Sequence, residues 1–593
     1  MNKTITLLAV FVCTVTCFAQ QAEVSKRLRT DIEYLASDEL EGRRAGTPGA
    51  EKAAAYIADC FRKSGLHRFG DSGSYFQPFE FISGVALGST NALSSIHEGK
   101  KYAFTIDTDF VPLGFSSNAT TAGEVVFAGY GISAPDLNYD DYAELDVKDK
   151  IVLVLRYSPA GDSVKSDFNK FSSARYKAMT ARDKGAKALL LFSGSLDDSA
   201  DALLKLRVDN GGGNSGIPVL SIKRSLAAQW LDAFNVDTLQ AQLNRSRHPR
   251  SITLADLHIE LRTDVVEIKS RSSNVVGLLQ VTDTSETEYL VIGAHYDHLG
   301  YGGEESMAPG VHAIHHGADD NASGTAGVME LIRRFTSHKS SLRRNIVFIA
   351  FSGEEEGILG SSHYVKDSQL PLERLRAMLN LDMVGRLQDK KLTVQGSGTS
   401  SLWNTLLPRY NADSIFTLTL VKDGFGGSDQ SAFYAKNIPV LFFFTGIHGD
   451  YHKPSDVASK INFDGEAQVV SYVASLAQDI DTAAVRPDFK KMESAERSGG
   501  DRRGGRVYSG VIPDFAEQVD GFKISGVSAN SPAAKAGLLG GDVIIRFGKH
   551  EIKNISDYMY ALQSYKVNDE VDIVYKRGGA TNTAKVKLES RKN

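Results

Sequence analysis

Cysteine is nearly missing from this chain: it occurs three times in 593 residues, at Cys13, Cys17 and Cys60. Two of these lie in an apolar N-terminal run. Once that run is removed, one thiol remains and no internal disulfide can form. Stability must then come from packed cores, a bound metal or both. Beyond the N-terminus no apolar stretch is long enough to cross a bilayer, so no membrane span is expected. A strong charge of either sign is also absent. The formal net charge is −5, spread along the chain, and short basic clusters such as Arg502-Arg503 sit among glycines. That excludes a phosphate-binding surface and a nucleic-acid partner. Neither an HExxH helix nor a GxSxG elbow occurs, which removes two hydrolase classes.

The N-terminus itself reads as a signal peptide over residues 1–19. Lys3 supplies the positive charge, Ile5 to Phe18 the apolar run, and Ala19 the small residue before a cut. The expected location is therefore periplasmic or extracellular. Lipoprotein anchoring at Cys17 is the secondary reading, because Thr14-Val15-Thr16 fits a lipoprotein signal poorly.

The hydrophobic content of 42% is ample for packed cores, and the length calls for several domains. Residues 26–66 carry apolar positions at helical spacing, with Cys60 on the buried face. From about 105 to 262 short β-type runs alternate with turns and one helix near Ala174 to Gly185. GGGNSG, Gly211 to Gly216, matches a dinucleotide fingerprint formally but precedes a strand instead of following one, so it reads as a loop. From 274 to about 482 apolar strands alternate with helices, the pattern of a mostly parallel sheet flanked by helices. A Gly/Arg-rich linker and a strand-rich tail follow.

Five metal-binding residue types stand in this α/β region, each in a distinctive context: His295 in GAHYDH, Asp320 in GADDNASG, Glu355 in FSGEEEG, Asp382 in NLDMVG and His452 in DYHKPSD. Imidazole and carboxylate are zinc ligands. Five of them, with one carboxylate shared, suffice for two ions that activate one water together. Most follow directly on expected strands, and ligand sites in open α/β sheets form outside the carboxyl ends of strands. Asp297 stands two residues after His295, where it can orient that imidazole. Glu354 and Glu355 repel each other unless a cation lies beside them. A metal on Glu355 removes that cost and leaves Glu354 as a base. His298, His312, His315 and His316 read as the rim of the site.

At these motifs the chain resembles metallopeptidase family 28, the co-catalytic di-zinc aminopeptidases. ASDELEGRRAGTPG near the N-terminus is also similar to that family. The resemblance implies two zinc ions per chain, one held by His295 and Glu355, the other by Asp382 and His452, with Asp320 as the bridge. It implies Glu354 as the catalytic base and Tyr451 as a donor to the oxyanion. The segment GGSDQSAF departs from the family at Gln430, where a histidine is common. GYGISAPDLNYDDYAELDVKDKIVLVLR and ARDKGAKALLLF resemble a protease-associated domain. SPAAKAGLLGGDVI and GVIPDF resemble a PDZ domain and its carboxylate-binding loop.

The expected layout is therefore a di-zinc peptidase domain in two pieces, 20–105 and 263–485. A protease-associated insert spans 106–262, a linker 486–505 and a PDZ domain 506–593. The expected activity is hydrolysis of the N-terminal peptide bond by a metal-bridging water and a Glu base. Substrates are peptides with a free N-terminus, and the PDZ groove is open to a C-terminal peptide. The alternatives are a carboxypeptidase or dipeptidase on the same fold, with Arg386 as the nearest cation for a substrate carboxylate; a one-zinc glutaminyl cyclase; and a non-catalytic peptide-binding protein.

Overall fold

The structure, a computed structural model, describes residues 21–492 except 164, 209–212, 282–287 and 304, and residues 507–590 except 514–518 and 529. The expected signal segment with Cys17, most of the linker, and Asp514 and Phe515 of the GVIPDF motif lie outside the described residues.

Three large sheets organise the chain, beside two small two-stranded ones among the described residues. The first has nine strands. Its centre is four parallel neighbours in the order Asn345–Phe351, Tyr289–His295, Leu375–Leu381 and Val440–Phe444. Antiparallel pairing appears only outside these four, through Val265–Leu279 on one side and Lys391–Gln395 on the other. The central strands are buried almost throughout, which is why their sequences are apolar without alternation. Successive side chains point to opposite faces. Leu290, Ile292, Phe348 and Ala350 enter one core with the helices Pro48–Lys63, Gly324–Ser337 and Phe463–Thr482. Val291, Val347, Ile349 and Phe351 enter a second core under the helices Leu359–Lys366 and Gln430–Ala435.

Local chemistry sets the helix ends. Thr47 accepts a hydrogen bond from the Ala50 amide, and Pro48 opens that helix, where its missing N–H costs nothing. Asn462 accepts from the Gly465 amide in the same way. The helix beginning at Gly324 needs its glycine for a different reason. A Cβ there would lie 2.3 Å from the Leu381 carbonyl, so only glycine lets the helix seat against the strand that leads to Asp382. The apolar run 26–66 is two helices, 21–35 and Pro48–Lys63, broken by the turn-rich loop. Cys60 is buried and free, and burial raises its thiol pKa.

The second sheet has eight strands between Ala92 and Arg262. Two of them, Ala92–His97 and Lys100–Phe104, come before residue 106. The third sheet, from Val511 to Lys587, carries the helix Ile555–Gln563. That helix docks on the second unit. Arg182 pairs with Asp557 at 2.9 Å, His550 with Asp183 at 2.7 Å, and the Tyr176 and Tyr560 rings meet at 5.2 Å. Among the described residues no helix is long and apolar enough to cross a membrane.

Candidate metal centre

The four central strands end on one edge, and each delivers a site residue. His295 is the last residue of its strand, and Asp382 follows Leu375–Leu381 directly. Glu354 and Glu355 come just after Asn345–Phe351, and His452 after a loop from Val440–Phe444. Asp320 arrives from the side, in the turn Ala318–Ser323 before the Gly324 helix.

The distances sort these residues into two groups. His295 Nε2 lies 3.4 Å from Asp382 Oδ1, 3.5 Å from Asp320 Oδ1 and 3.9 Å from Glu354 Oε2. His452 Nε2 lies 3.1 Å from Asp320 Oδ2 and 3.2 Å from Glu355 Oε2. The two oxygens of Asp320 thus face different histidines. The expected pairing of His295 with Glu355 and of Asp382 with His452 is corrected: His295 stands with Asp382, and His452 with Glu355. The His295 strand lies between those of Glu355 and Asp382, so strand order allows either partner, and the side chains bring His295 to Asp382 at 3.4 Å.

His298 also needs correction. Instead of lining the rim it is fully buried, and its Nδ1 lies 2.6 Å from Glu355 Oε1. His315 is fully buried as well, so it too does not line the rim, though like His312 and His316 it lies apart from the carboxylate cluster. His312 stacks on Tyr301, His315 bonds Ser306, and His316 contacts Asp38. Asp297 is buried beside His295, but its backbone carbonyl approaches Nδ1 more closely, at 3.3 Å, than its carboxylate at 3.8 Å. That carboxylate accepts from the Glu354 amide at 3.3 Å. The Tyr451 ring stacks on His452 at 3.8 Å.

A frame of hydrogen bonds holds the ligand-bearing turns together. Asp456 accepts from the Asp319 and Asp320 amides at 2.9 and 3.1 Å. Asp319 accepts from the Gly385 amide at 2.7 Å, and its other oxygen lies 3.2 Å from His448 Nε2. Asn321 accepts from the Met383 amide and donates to the Leu381 carbonyl. Of the adjacent pair, then, Asp320 reaches the cluster and Asp319 serves as a strut. Arg43, from the N-terminal loop, is buried beneath. It donates to the carbonyls of Tyr296, Leu35, His316, Gly317 and Asp320 at 2.6, 3.0, 2.5, 2.6 and 3.4 Å. Sequence reasoning missed Arg43, Asp456, His448 and Asp429. The last is fully buried, and neither of its oxygens has a hydrogen-bond partner.

Electrostatics show that the cluster is made for cations. The His452 Nδ1 meets the Glu305 carbonyl at 2.8 Å, so Nδ1 carries the proton and the Nε2 lone pair faces two carboxylates. That contact is repulsive unless a proton or a metal intervenes. Burial opposes a proton on His452, yet Asp320 and Glu355 push its pKa up to about 11. Burial raises Glu354 well above the carboxylate range, and Glu355 and Asp382 add to that rise. Burial lifts Asp297 to about 7 and Asp429 to about 6, with His295 opposing both shifts. The buried atoms His295 Nε2, His298 Nε2 and Asp382 Oδ1 have no hydrogen-bond partner. Unpaired donors and acceptors of this kind, beside an excess of carboxylates, fit metal ions. Ligand atoms of His295, Glu354 and Asp382, and of His298, Asp320 and Glu355, lie within 4.8 Å of one another in each set.

Comparison with known proteins reaches the same region. Residues 274–477 match the family model for peptidase family M28, and that span contains every residue of the cluster. Residues 274–477 are an M28 peptidase domain. Residues 120–230 match the PA domain and 509–588 the PDZ domain. The chain is therefore a hydrolase of the metallo-aminopeptidase class, with an M28 domain, a PA insert and a PDZ domain. Aminopeptidase YwaD of Bacillus subtilis is 27% identical over 377 residues, 61% of this chain and 68% of its own length. An aminopeptidase of Pseudomonas aeruginosa is 24% identical over 386 residues, 64% of this chain and 60% of its own, which is under two thirds of that relative. A probable zinc metalloprotease of Pyrenophora teres f. teres is 38% identical over 118 residues, 19% of this chain and 23% of its own. The solved aminopeptidase from Aneurinibacillus sp. strain AM-1 has a TM-score of 0.48 at 23% identity, covering 79% of this chain and 94% of that one.

Proposed function

We propose that this protein is a two-zinc exopeptidase that hydrolyses the N-terminal peptide bond of peptides. The observation that carries the reading is Asp320, whose Oδ1 faces His295 and whose Oδ2 faces His452. A carboxylate with one oxygen on each side suits a bridge between two ions. His295 and Asp382 would hold one ion; Glu355 and His452 would hold the other. When bound, zinc lowers the pKa of a water towards neutrality and polarises the scissile carbonyl.

Glu354 lies 3.9 Å from His295 Nε2, and its burial strengthens its hold on a proton. It accepts the proton of the attacking water and passes it to the leaving amine. Tyr451 sits half-buried over His452, and burial keeps its hydroxyl protonated. It donates a hydrogen bond to the oxyanion that develops at the carbonyl. Asp297 orients the Glu354 backbone and the His295 ring together. The substrate's free ammonium meets Glu354 and Asp382.

The competing carboxypeptidase reading needs a free cation for a substrate carboxylate. Arg386, its candidate, is already engaged: it donates to Asp450 at 2.6 Å and to the Lys460 carbonyl at 3.0 Å. Export through residues 1–19 and capture of a peptide C-terminus by the PDZ groove belong to the same reading.

The test is a panel of aminoacyl-anilides and their N-acetylated forms, each with and without chelator. Release from the free-amine substrates alone, abolished by chelator and restored by zinc, is expected. Equal release from acetylated substrates would sink the aminopeptidase assignment.

A further inference from the structure

We propose that the seam between the M28 and PDZ domains holds a second ligand site, for the C-terminal carboxylate of a short peptide ending in an apolar residue. A cavity of about 690 Å³ lies there, within the size range of small-ligand pockets. One wall is the pair of peptidase helices Leu359–Lys366 and Gln430–Ala435; the other is the PDZ strand Phe522–Val527 with the loop after Leu538.

The chemistry of the lining is one-sided. Ile358, Val365, Phe425, Val527 and Leu539 make an apolar floor. Lys366, Lys436, Lys491 and Lys523 surround it, and no Asp or Glu lines the cavity. Lys436 and Lys491 are half-buried and Lys366 is exposed, and among the described residues none of the three has a carboxylate partner. Burial already lowers the Lys491 pKa. Cations around an apolar pocket favour a ligand with an anionic head and an apolar stem, because the head meets charge-assisted donors as the stem leaves water. Ser362 and Asn437 add hydrogen-bonding side chains to the lining. They suit the amide groups of a peptide and would be desolvated to no purpose by an alkyl chain.

This site is separate from the groove beside the PDZ helix Ile555–Gln563. Phe522 and Ile524 face that helix, with Phe522 4.6 Å from the Tyr558 ring. Lys523 alternates to the opposite side of the strand and into the seam. The PDZ wall is also held in place, since the same helix is pinned to the PA insert by Arg182–Asp557 and Tyr176–Tyr560. The cavity touches both peptidase segments that flank the metal centre: Ile358 follows Glu354-Glu355, and Phe425 precedes Asp429-Gln430.

The experiment is calorimetric titration of the full zinc-loaded chain with acetyl-Ala-Ala-Leu, whose blocked amine keeps it from being a substrate. The acid should bind, and its C-terminal amide should bind about ten-fold more weakly or worse, the loss expected for one charge-assisted contact. Lys366→Glu with Lys436→Glu should abolish binding. The milder Lys366→Gln with Lys436→Gln should weaken it with an unchanged unfolding midpoint. Met559→Glu, on the exposed face of the PDZ helix, should leave it intact. Absence of binding by the acid, equal binding of acid and amide, or wild-type affinity in both lysine pairs would overturn the proposal. So would loss of binding in Met559→Glu, which would move the ligand to the PDZ groove, or tighter binding of decanoate than of the peptide. None of these readouts depends on peptidase activity.

Discussion

Arg43→Met is the most informative perturbation of the scaffold, because it removes one buried cation that five carbonyls share. The guanidinium is 1% exposed. Burial lowers its pKa to about 10 while Asp320 and Asp297 oppose the drop, so it is charged at neutral pH. Each hydrogen bond from a charged donor is worth about 1.5–3 kcal/mol, and orphaned buried acceptors carry a further penalty. The five are not additive. Loss of one partner from a buried charged network costs about 3–5 kcal/mol, so a loss of about 4 kcal/mol is expected. That is a large part of the roughly 5–15 kcal/mol that holds a domain together. The assay is urea unfolding followed at Trp403, which lies in the M28 core, in a Trp230→Phe background that silences the other tryptophan, in the PA core. The metal-free protein should lose more than the zinc-loaded one, since bound cations replace part of the charge that Arg43 supplies to Asp320 and Glu355. Arg43→Lys should recover only part of the loss, because an ammonium cannot span carbonyls on several loops. A change below about 1 kcal/mol in both metal states would refute the claim that Arg43 clamps the site.

Other outcomes follow from the same geometry. Zinc titrated into the metal-free protein at pH 8 should release about one proton or more, because the proton held on His452 must leave before its Nε2 can ligate; calorimetry in buffers of different ionisation enthalpy measures this. The sign is fixed by the raised His452 pKa: the proton is present below about 11, so apparent zinc affinity should fall as pH falls. Tyr451→Phe should lower kcat about 10²–10³-fold with little change in zinc content, as expected for one oxyanion donor; an unchanged kcat would assign the ring to packing on His452. Asp319→Asn should loosen the strut to Gly385 and His448 and weaken zinc binding about ten-fold, measured by competition with a chromophoric chelator, and Asp319→Ala should lose more.

The sequence was most legible where strands dictate position. Residues that follow buried apolar strands converge by topology, so the cluster and the helices Gly324–Ser337 and Phe463–Thr482 were within reach. The pairing of ligands was not. The His295 strand neighbours both the Glu355 and the Asp382 strands, so the pairing depends on side-chain placement, and the apolar runs around the three residues are interchangeable in pattern. His298 looked like its loop companions His312, His315 and His316; only the tertiary course of the loop buries it and His315, and brings His298 alone onto Glu355. Arg43 was one of two adjacent arginines in a turn-rich segment, and a buried cation satisfied by carbonyls leaves no local signature. The short helix Gln430–Ala435 was too brief to show periodicity, which also hid Asp429 at its start. The break between the helices 21–35 and Pro48–Lys63 was marked by Thr47 and Pro48.

The most direct test of the account is Glu354→Gln, measured for zinc content and turnover on the same sample. About two zinc ions per chain are expected, as in the unaltered protein, with kcat lowered by about 10²–10⁴, the contribution of a general base. Near-full turnover, or zinc lost along with activity, would contradict a Glu354 that moves protons beside a metal pair held by its neighbours.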